Sequence, residues 1–432
     1  MPAQTEAACL LESGALYAKR LILKAIPDSP IFAGFKTGAF SLYFGDAPIF
    51  HFDLEGRWQR AYASGLHYLK GLDGSVQTID RVREGKNLVL KRRTLGYAEA
   101  SDFDASVRTT ALELLDMLGA RTLERVGPPA GAEPVTDDEL KSFLERIVTW
   151  DSAAWFSHRE RYLDTYGHLP FLPPDCPHAV ILQATLGHAG GRAFGLGHAH
   201  EHDVRSAGEF EQHARAVAKL LGRRLEQCKG VFLAGADALR RPESEVTGFL
   251  ETIRTVFGTT ARNEDAAAVH SFLDGPPGPG PERSGWRRYA DLGLRRVTVG
   301  VESGSPEVRA LYGKTWQNGD LRSLVADLKA AGIGVGLLAI VGAGGIENAE
   351  RHLGATVALL NELEVGPGDL ISLVDARELA GGEALGAHGE PLFSALTGAA
   401  WSGQLSALKS GLSPLRSSRG AKVVPYSLEK QG

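Results

Sequence analysis

Between residues 178 and 378 a short apolar stretch alternates six times with stretches of helical periodicity, and few folds satisfy that pattern. The apolar stretches are HAVILQATLG, GVFLAG, AAVHSFLDG, RRVTVGVES, GVGLLAIVG and LISLVDARE. Each is strand-length, and most are too uniformly apolar to leave one face in water, which is how strands of a parallel sheet read. The segments between them, such as FEQHARAVAKLLGRRLEQ and DLRSLVADLKAAG, carry apolar residues three and four apart. The pattern predicts an α/β fold, a parallel βα barrel or partial barrel of six strands, whose ligands meet the carboxyl ends of the strands.

The first part of the chain has another texture. Residues 1–30 read as helical, while residues 32–95 hold short aromatic and β-branched runs broken by Gly, Asp and Pro. That segment predicts a small antiparallel β or α+β module. Residues 101–125 and 137–165 read as helices, with Asp137 or Asp138 as a cap of the second, and GPPAGAEP between them reads as a linker. At 432 residues the chain exceeds one ordinary core, so we expect an N-terminal α+β accessory domain over residues 1–165 and a barrel over 166–432. Within the latter, the tail from Leu392 to Gly432 is expected to close the barrel.

Charge and cysteine content narrow the function. A formal charge of -5 argues against a dedicated nucleic-acid binder, and Lys91–Arg93 and Arg295–Arg296 read as solvated charges. No apolar run approaches the roughly 20 residues that cross a bilayer, and the N-terminus lacks the basic start of a signal peptide. A cytoplasmic location is the expectation. Cys9, Cys176 and Cys228 form no CxxC or CxxxC pair and predict reduced thiols, with Cys176 structural or incidental.

The strand ends carry more than the alternation does. The second ends in Phe232-Leu233-Ala234-Gly235-Ala236-Asp237-Ala238-Leu239, and the fourth in Gly300-Val301-Glu302-Ser303-Gly304-Ser305, followed by Gly313-Lys314. The fifth runs into Ile340-Val341-Gly342-Ala343-Gly344-Gly345, with His352 and Thr356 on the next helix. Glycines there let backbone groups approach a flat or zwitterionic ligand, and Glu302 could accept from ribose hydroxyls or an ammonium. A structural salt bridge with a barrel arginine is the alternative for Glu302, and Lys314 reads as an exposed helix charge.

Over roughly residues 170–420 these elements resemble the radical S-adenosylmethionine (SAM) superfamily. The resemblance implies a radical SAM-type partial (β/α)6 TIM-like barrel. It also implies SAM contacts at Gly235, Asp237, Glu302, Ser303, Gly342 and Gly344. Members of that family hold a [4Fe–4S] cluster through three cysteines in the loop after the first strand, because soft thiolates stabilise it. Here that loop is HAGGRAFGLGHAHEHDVRS, and the cysteine positions become His188, Ala193 and Leu196, while Arg192, Val204, Arg205 and Ser206 keep the frame. Ala and Leu cannot ligate iron, so no [4Fe–4S] cluster of the usual kind and no reductive SAM cleavage are expected.

Three readings follow. One is a SAM- or substrate-binding pseudoenzyme or accessory subunit serving a small-molecule ligand or a partner protein. Another is a metalloenzyme in which His188, His198, His200 and His202 hold a divalent ion (zinc, iron or nickel), since alternating histidines in an extended loop point the same way. The third is radical chemistry with unusual cluster ligands such as Cys176 and His188.

Overall fold

A computed structural model describes residues 19–25, 29–36, 38–84, 87–167, 178–186, 203–235, 238–258, 268–276, 283–376 and 393–426. The chain forms two compact units, one of residues 1–168 with 218–227, the other of residues 169–217 with 228–431.

The N-terminal unit is built on a nine-stranded antiparallel sheet. Its strands are β1 (Arg20–Ala25), β2 (Ser29–Lys36), β3 (Ala39–Phe44), β4 (Ile49–Asp53), β5 (Trp58–Ala63), β6 (Leu66–Lys70), β7 (Val76–Glu84), β8 (Asn87–Thr94) and β9 (Leu123–Gly127). The first eight meander in sequence order, and β9 pairs with the outer edge of β1. Alternation sorts their side chains. Leu21, Leu23, Ile31, Ala33, Phe35, Phe40 and Leu42 face a core shared with helices α1 (Tyr97–Gly119) and α2 (Asp137–Val148). Phe143 of α2 lies 4.4 Å from the Phe40 ring centroid and 5.3 Å from that of Phe35. A third helix, α3 (Ser152–Tyr166), contributes Trp155 to the same core.

Several expectations for this unit change. Residues 20–25 are a strand and not a helix, because Leu21 and Leu23 alternate into the core while β2 supplies their backbone partners. The helix expected at 101–125 starts at Tyr97 and ends at Gly119, and Leu123–Gly127 then returns as β9. Residues 137–165 divide into two helices, because Asp151 accepts from the Ala154 N–H at 2.8 Å and starts the second. The cap of α2 is Thr136, which forms a reciprocal box with Glu139, and Asp137 and Asp138 occupy the first turn. GPPAGAEP runs inside the unit, where Pro134 bridges to Arg20. Lys91–Arg93 lie on β8. Asp53 and Arg57 form a fully buried pair at 2.7 Å, and the guanidinium also donates to the carbonyls of Leu220 and Leu221.

The second unit holds a seven-stranded, all-parallel sheet whose spatial order is its chain order. Its first strand, β10 (Val180–Gln183), is followed by a two-stranded antiparallel stem of β11 (Thr185–Leu186) and β12 (Asp203–Val204). After α4 (Ala207–Leu221) come β13 (Val231–Ala234), α5 (Glu243–Phe257), β14 (Val269–Leu273), α6 (Arg283–Asp291) and β15 (Leu294–Glu302). Short α7 (Pro306–Ala310) and α8 (Asn318–Ala330) precede β16 (Gly334–Val341), α9 (Ala349–Glu362) and β17 (Leu370–Asp375). Helix α10 (Gly398–Gly411) then leads to β18 (Lys422–Tyr426). Strands added one after another in one direction by right-handed crossovers put their helices on one face, the geometry of a barrel wall.

Burial agrees with that geometry. Val297, Val299, Val301, Val335, Leu337 and Ala339 on one face are fully buried, while on the opposite face Thr298, Leu338 and Ile340 are buried and His270 and Phe272 are half-buried. The tail supplies a seventh parallel strand, because β18 pairs with β17 from Leu370↔Lys422 to Val374↔Tyr426. Arg295 and Arg296 lie on β15, donating to the carbonyls of Ala290 and Gly368.

Candidate functional site

The carboxyl edge of the parallel sheet gathers a buried charge cluster. Glu302, the last residue of β15, has φ +56°, a conformation costing a non-glycine residue about 1–2 kcal/mol. The strand bulges between Gly300 and Glu302, so Glu302 pairs with Ala339 ahead of the regular register. Its carboxylate is fully buried, with Oε2 2.6 Å from Nζ of Lys314 as an ion pair. The same Nζ lies 2.6 Å from Oδ1 of Asp274, just beyond β14. One cation thus sits between two carboxylates.

Burial is the largest influence on Glu302 and pushes its carboxyl up to about 7, Asp274 adds to the rise, and Lys314 opposes it. At neutral pH the group therefore takes up or gives up a proton. Its Oε1 has no hydrogen-bond partner among the described residues. Gly300 is required here, since a Cβ would fall 2.6 Å from that oxygen and 3.0 Å from Nζ of Lys314.

Residues after Glu302 are locked from behind. Ser303 Oγ lies 2.8 Å from Nδ1 of His352, which also meets Thr356 Oγ1 at 3.2 Å, and Gly304 N donates to that same oxygen at 2.8 Å. Burial pushes His352 down to about 4, so the ring is neutral at physiological pH. A Cβ at Gly304 would fall 2.1 Å from the Ala355 carbonyl oxygen, which fixes how closely the loop meets α9. Arg309 donates to the Ser303 and Trp316 carbonyls and stacks 3.8 Å from the Trp316 ring.

The other expected residues lie along the same edge. Gly235 follows β13 with φ +109°, and a Cβ there would fall 2.0 Å from Oγ1 of Thr185, a buried hydroxyl without a hydrogen-bond partner among the described residues. Gly342 and Gly344 follow β16, but their N–H groups donate internally, to Gln404 Oε1 at 2.7 Å and to the Tyr312 hydroxyl at 3.1 Å. Asp237, Cys176 and the four histidines His188, His198, His200 and His202 lie outside the described residues. Only the stem of their loop is described, with Leu186 opposite Asp203, and Arg205 donating to the Gln183 carbonyl at 2.9 Å.

Two expectations are corrected. Lys314 is not an exposed helix charge: it is buried between α7 and α8, because two carboxylates compensate its desolvation. The partner of Glu302 is accordingly a lysine and not an arginine. Asp274, Thr185, Tyr312 and Gln404 were missed. Asp274 had a signal, since FLDG places a carboxylate directly after an apolar strand. Nothing local marked the other three.

No protein-family profile and no curated protein matches the chain. Among solved structures, coproporphyrinogen III oxidase (HemN) from Escherichia coli, a radical SAM enzyme, is 14% identical with a TM-score of 0.41, the match covering 58% of this chain and 55% of that one. The radical SAM methyltransferase TsrM from Kitasatospora setae, bound to cobalamin and a [4Fe–4S] cluster, gives 14% identity and a TM-score of 0.38 over 57% of this chain and 55% of that one. This chain is similar to radical SAM enzymes of known structure. SuiB from Streptococcus suis, bound to its precursor peptide SuiA, is 10% identical with a TM-score of 0.40 over 85% of this chain and 73% of that one. The chain thus spans little more than half the length of HemN and of TsrM.

Proposed function

We propose that the second unit is a radical SAM-like barrel that has lost its cluster ligands and binds SAM or a related zwitterion as a pseudoenzyme or accessory subunit. The observation that carries this reading is the buried Glu302 at the carboxyl edge, whose Oε1 has no hydrogen-bond partner among the described residues. Gly235 and the buried hydroxyl of Thr185, which has no hydrogen-bond partner among the described residues, sit at the end of neighbouring strands. These acceptors suit the donors of such a ligand, two ribose hydroxyls and an ammonium. Ser303 would act by orienting Glu302 through its contact with His352. Gly342 and Gly344 would shape the edge and not donate to the ligand, their N–H groups being spent on Gln404 and Tyr312. With cluster thiolates absent from the loop after β10, the chain's own residues bind and orient but do not cleave. Isothermal titration of the full chain with SAM should give a saturating heat that Glu302→Gln diminishes at least tenfold in affinity. No heat at millimolar SAM would overturn it.

The histidine-bound metal reading rests on sequence alone. Protein purified anaerobically without a histidine tag should then carry near-stoichiometric zinc, iron or nickel without acid-labile sulfide, and His198→Ala with His200→Ala should abolish uptake. Unusual cluster ligation predicts sulfide and a broad absorbance after anaerobic reconstitution, and their absence disposes of it.

A further inference from the structure

The face of the antiparallel sheet turned away from α1 and α2 is lined by rings and cations that no expectation above uses. Cross-strand register fixes which residues share it. Arg20, Gly34, Ser41, His51 and Arg60 stand in one row across β1 to β5. Phe32, Tyr43, Ile49, Tyr62 and His67 form the neighbouring row across β2 to β6. These positions alternate with the core residues, and the rings among them are half-buried.

The rings form two groups on either side of Ile49. Phe32 and Tyr43 meet edge to face at 5.4 Å, Tyr43 and His51 at 5.8 Å, and Tyr62 lies 4.9 Å from His67. From Phe32 to Tyr62 the row crosses three strand spacings, about 14 Å. Arg20, Lys36, Arg60 and Arg81 rise around it and are exposed. From β2 to β7 the register puts one acid on this face, Asp53 opposite Ala39, and that carboxylate is fully buried and paired with Arg57. Local charge is positive enough to register on His51, which burial, then Lys36 and Arg60, hold below its usual range. Over β1 to β3 the face opens into a groove of about 430 Å³ lined by Arg20, Phe32, Gly34, Lys36 and Tyr43. Gly34 keeps its floor low, since a Cβ there would press the Phe32 ring at 3.1 Å.

We infer that this face binds single-stranded nucleic acid, its rings stacking on bases and its exposed cations neutralising phosphates. Aromatic platforms beside a cationic groove are how such strands are held without sequence readout. An acidic peptide is the weaker fit. Sheets take peptides at an edge, where backbone groups are open, and charge alone would leave the rings without a role. A duplex would bury its bases away from them. The whole-chain charge of -5 does not count against a face whose one acid from β2 to β7, Asp53, is already neutralised by Arg57.

The test is fluorescence anisotropy of the full chain with labelled 16-mers of deoxythymidine and uridine at graded salt. Binding is expected at 50 mM salt, with a log–log salt slope near -3 for four phosphate contacts. Arg60→Glu with Lys36→Glu should flatten that slope by more than 1. Tyr43→Ala should weaken binding about 5- to 150-fold at unchanged slope, and Tyr43→Phe should restore it. If Tyr43→Ala does not fold, Tyr62→Ala gives the same readout, and the exposed arginine and lysine variants stand regardless. No binding at 50 mM salt, indifference to both classes of variant, or tighter binding of poly-glutamate of equal length would each overturn the inference.

Discussion

Replacing Glu302 with glutamine keeps the shape of the side chain and removes its titration, which tests whether burial outweighs the Lys314 cation. In the folded chain the Glu302 carboxyl sits at about 7, against an ordinary value of 4.5. The folded state therefore binds this proton more tightly than the unfolded state does. The stability that the group contributes is complete below pH 4.5 and is lost as pH rises to 7. Over that interval, at about 1.4 kcal/mol per pH unit, the loss amounts to about 3 kcal/mol. No discount for solvent applies, because the side chain is fully buried.

His352 titrates in the opposite sense. Its folded value of about 4 lies below the ordinary 6.5, so its contribution is complete above pH 6.5 and is lost as pH falls toward 4. In the unaltered chain the two trends oppose each other between pH 4.5 and 6.5, and stability of the parallel sheet should vary little from these groups. Glu302→Gln unmasks the histidine. Relative to the unaltered chain, the variant should gain about 3 kcal/mol between pH 4.5 and 8. Urea unfolding at steps across that range, with the sheet followed by hydrogen exchange in residues 294–302, reads the difference. A difference that is constant with pH, or one in which the unaltered chain gains as pH rises, would mean that Lys314 dominates and the reasoning is wrong.

His352→Gln should give the mirror image, a sheet that loses stability from pH 4.5 to 7 without recovering, measured in the same titrations. Gly304→Ala drives a methyl group against the Ala355 carbonyl, which is backbone and cannot yield cheaply, and should cost about 3 kcal/mol or more. A thermal melt of the second unit within a degree of the unaltered chain would contradict it. Asp53→Ala leaves the buried Arg57 guanidinium without its carboxylate and should destabilise the N-terminal unit by about 3–5 kcal/mol in urea unfolding. Thr136→Ala removes one arm of the capping box of α2 and should cost about 1 kcal/mol by the same measurement.

The parallel sheet was legible because β10 and β13 to β17 each bury most of their residues, and an apolar run such as GVGLLAIV needs no context to be read. Elements at sheet edges were harder. RLILKA sits in a leucine- and alanine-rich stretch and reads as helix until β2 is known to lie beside it. KVVPY contains a proline, and it joins the sheet only as the outermost strand, where a missing N–H is tolerated. In the site, Glu302, Ser303 and the glycine turns were visible because strand-end residues are contiguous. The pairing of Glu302 with Lys314 and Asp274 was not. Those residues come from one strand end and two separate loops, and the burial that turns a lysine into a structural cation is set by packing that no local spacing encodes.

The pairing of Leu186 with Asp203 has a consequence for how chemistry and architecture are separated in this chain. The loop opens and closes through two antiparallel residue pairs, a ladder separate from the parallel sheet, so the sixteen residues between are framed by hydrogen bonds that ask nothing of their side chains. That makes residues 187–202 an exchangeable cassette. Its composition can be rewritten, with cysteines at 188, 193 and 196 for example, while Thr185–Leu186 and Asp203–Val204 keep their partners.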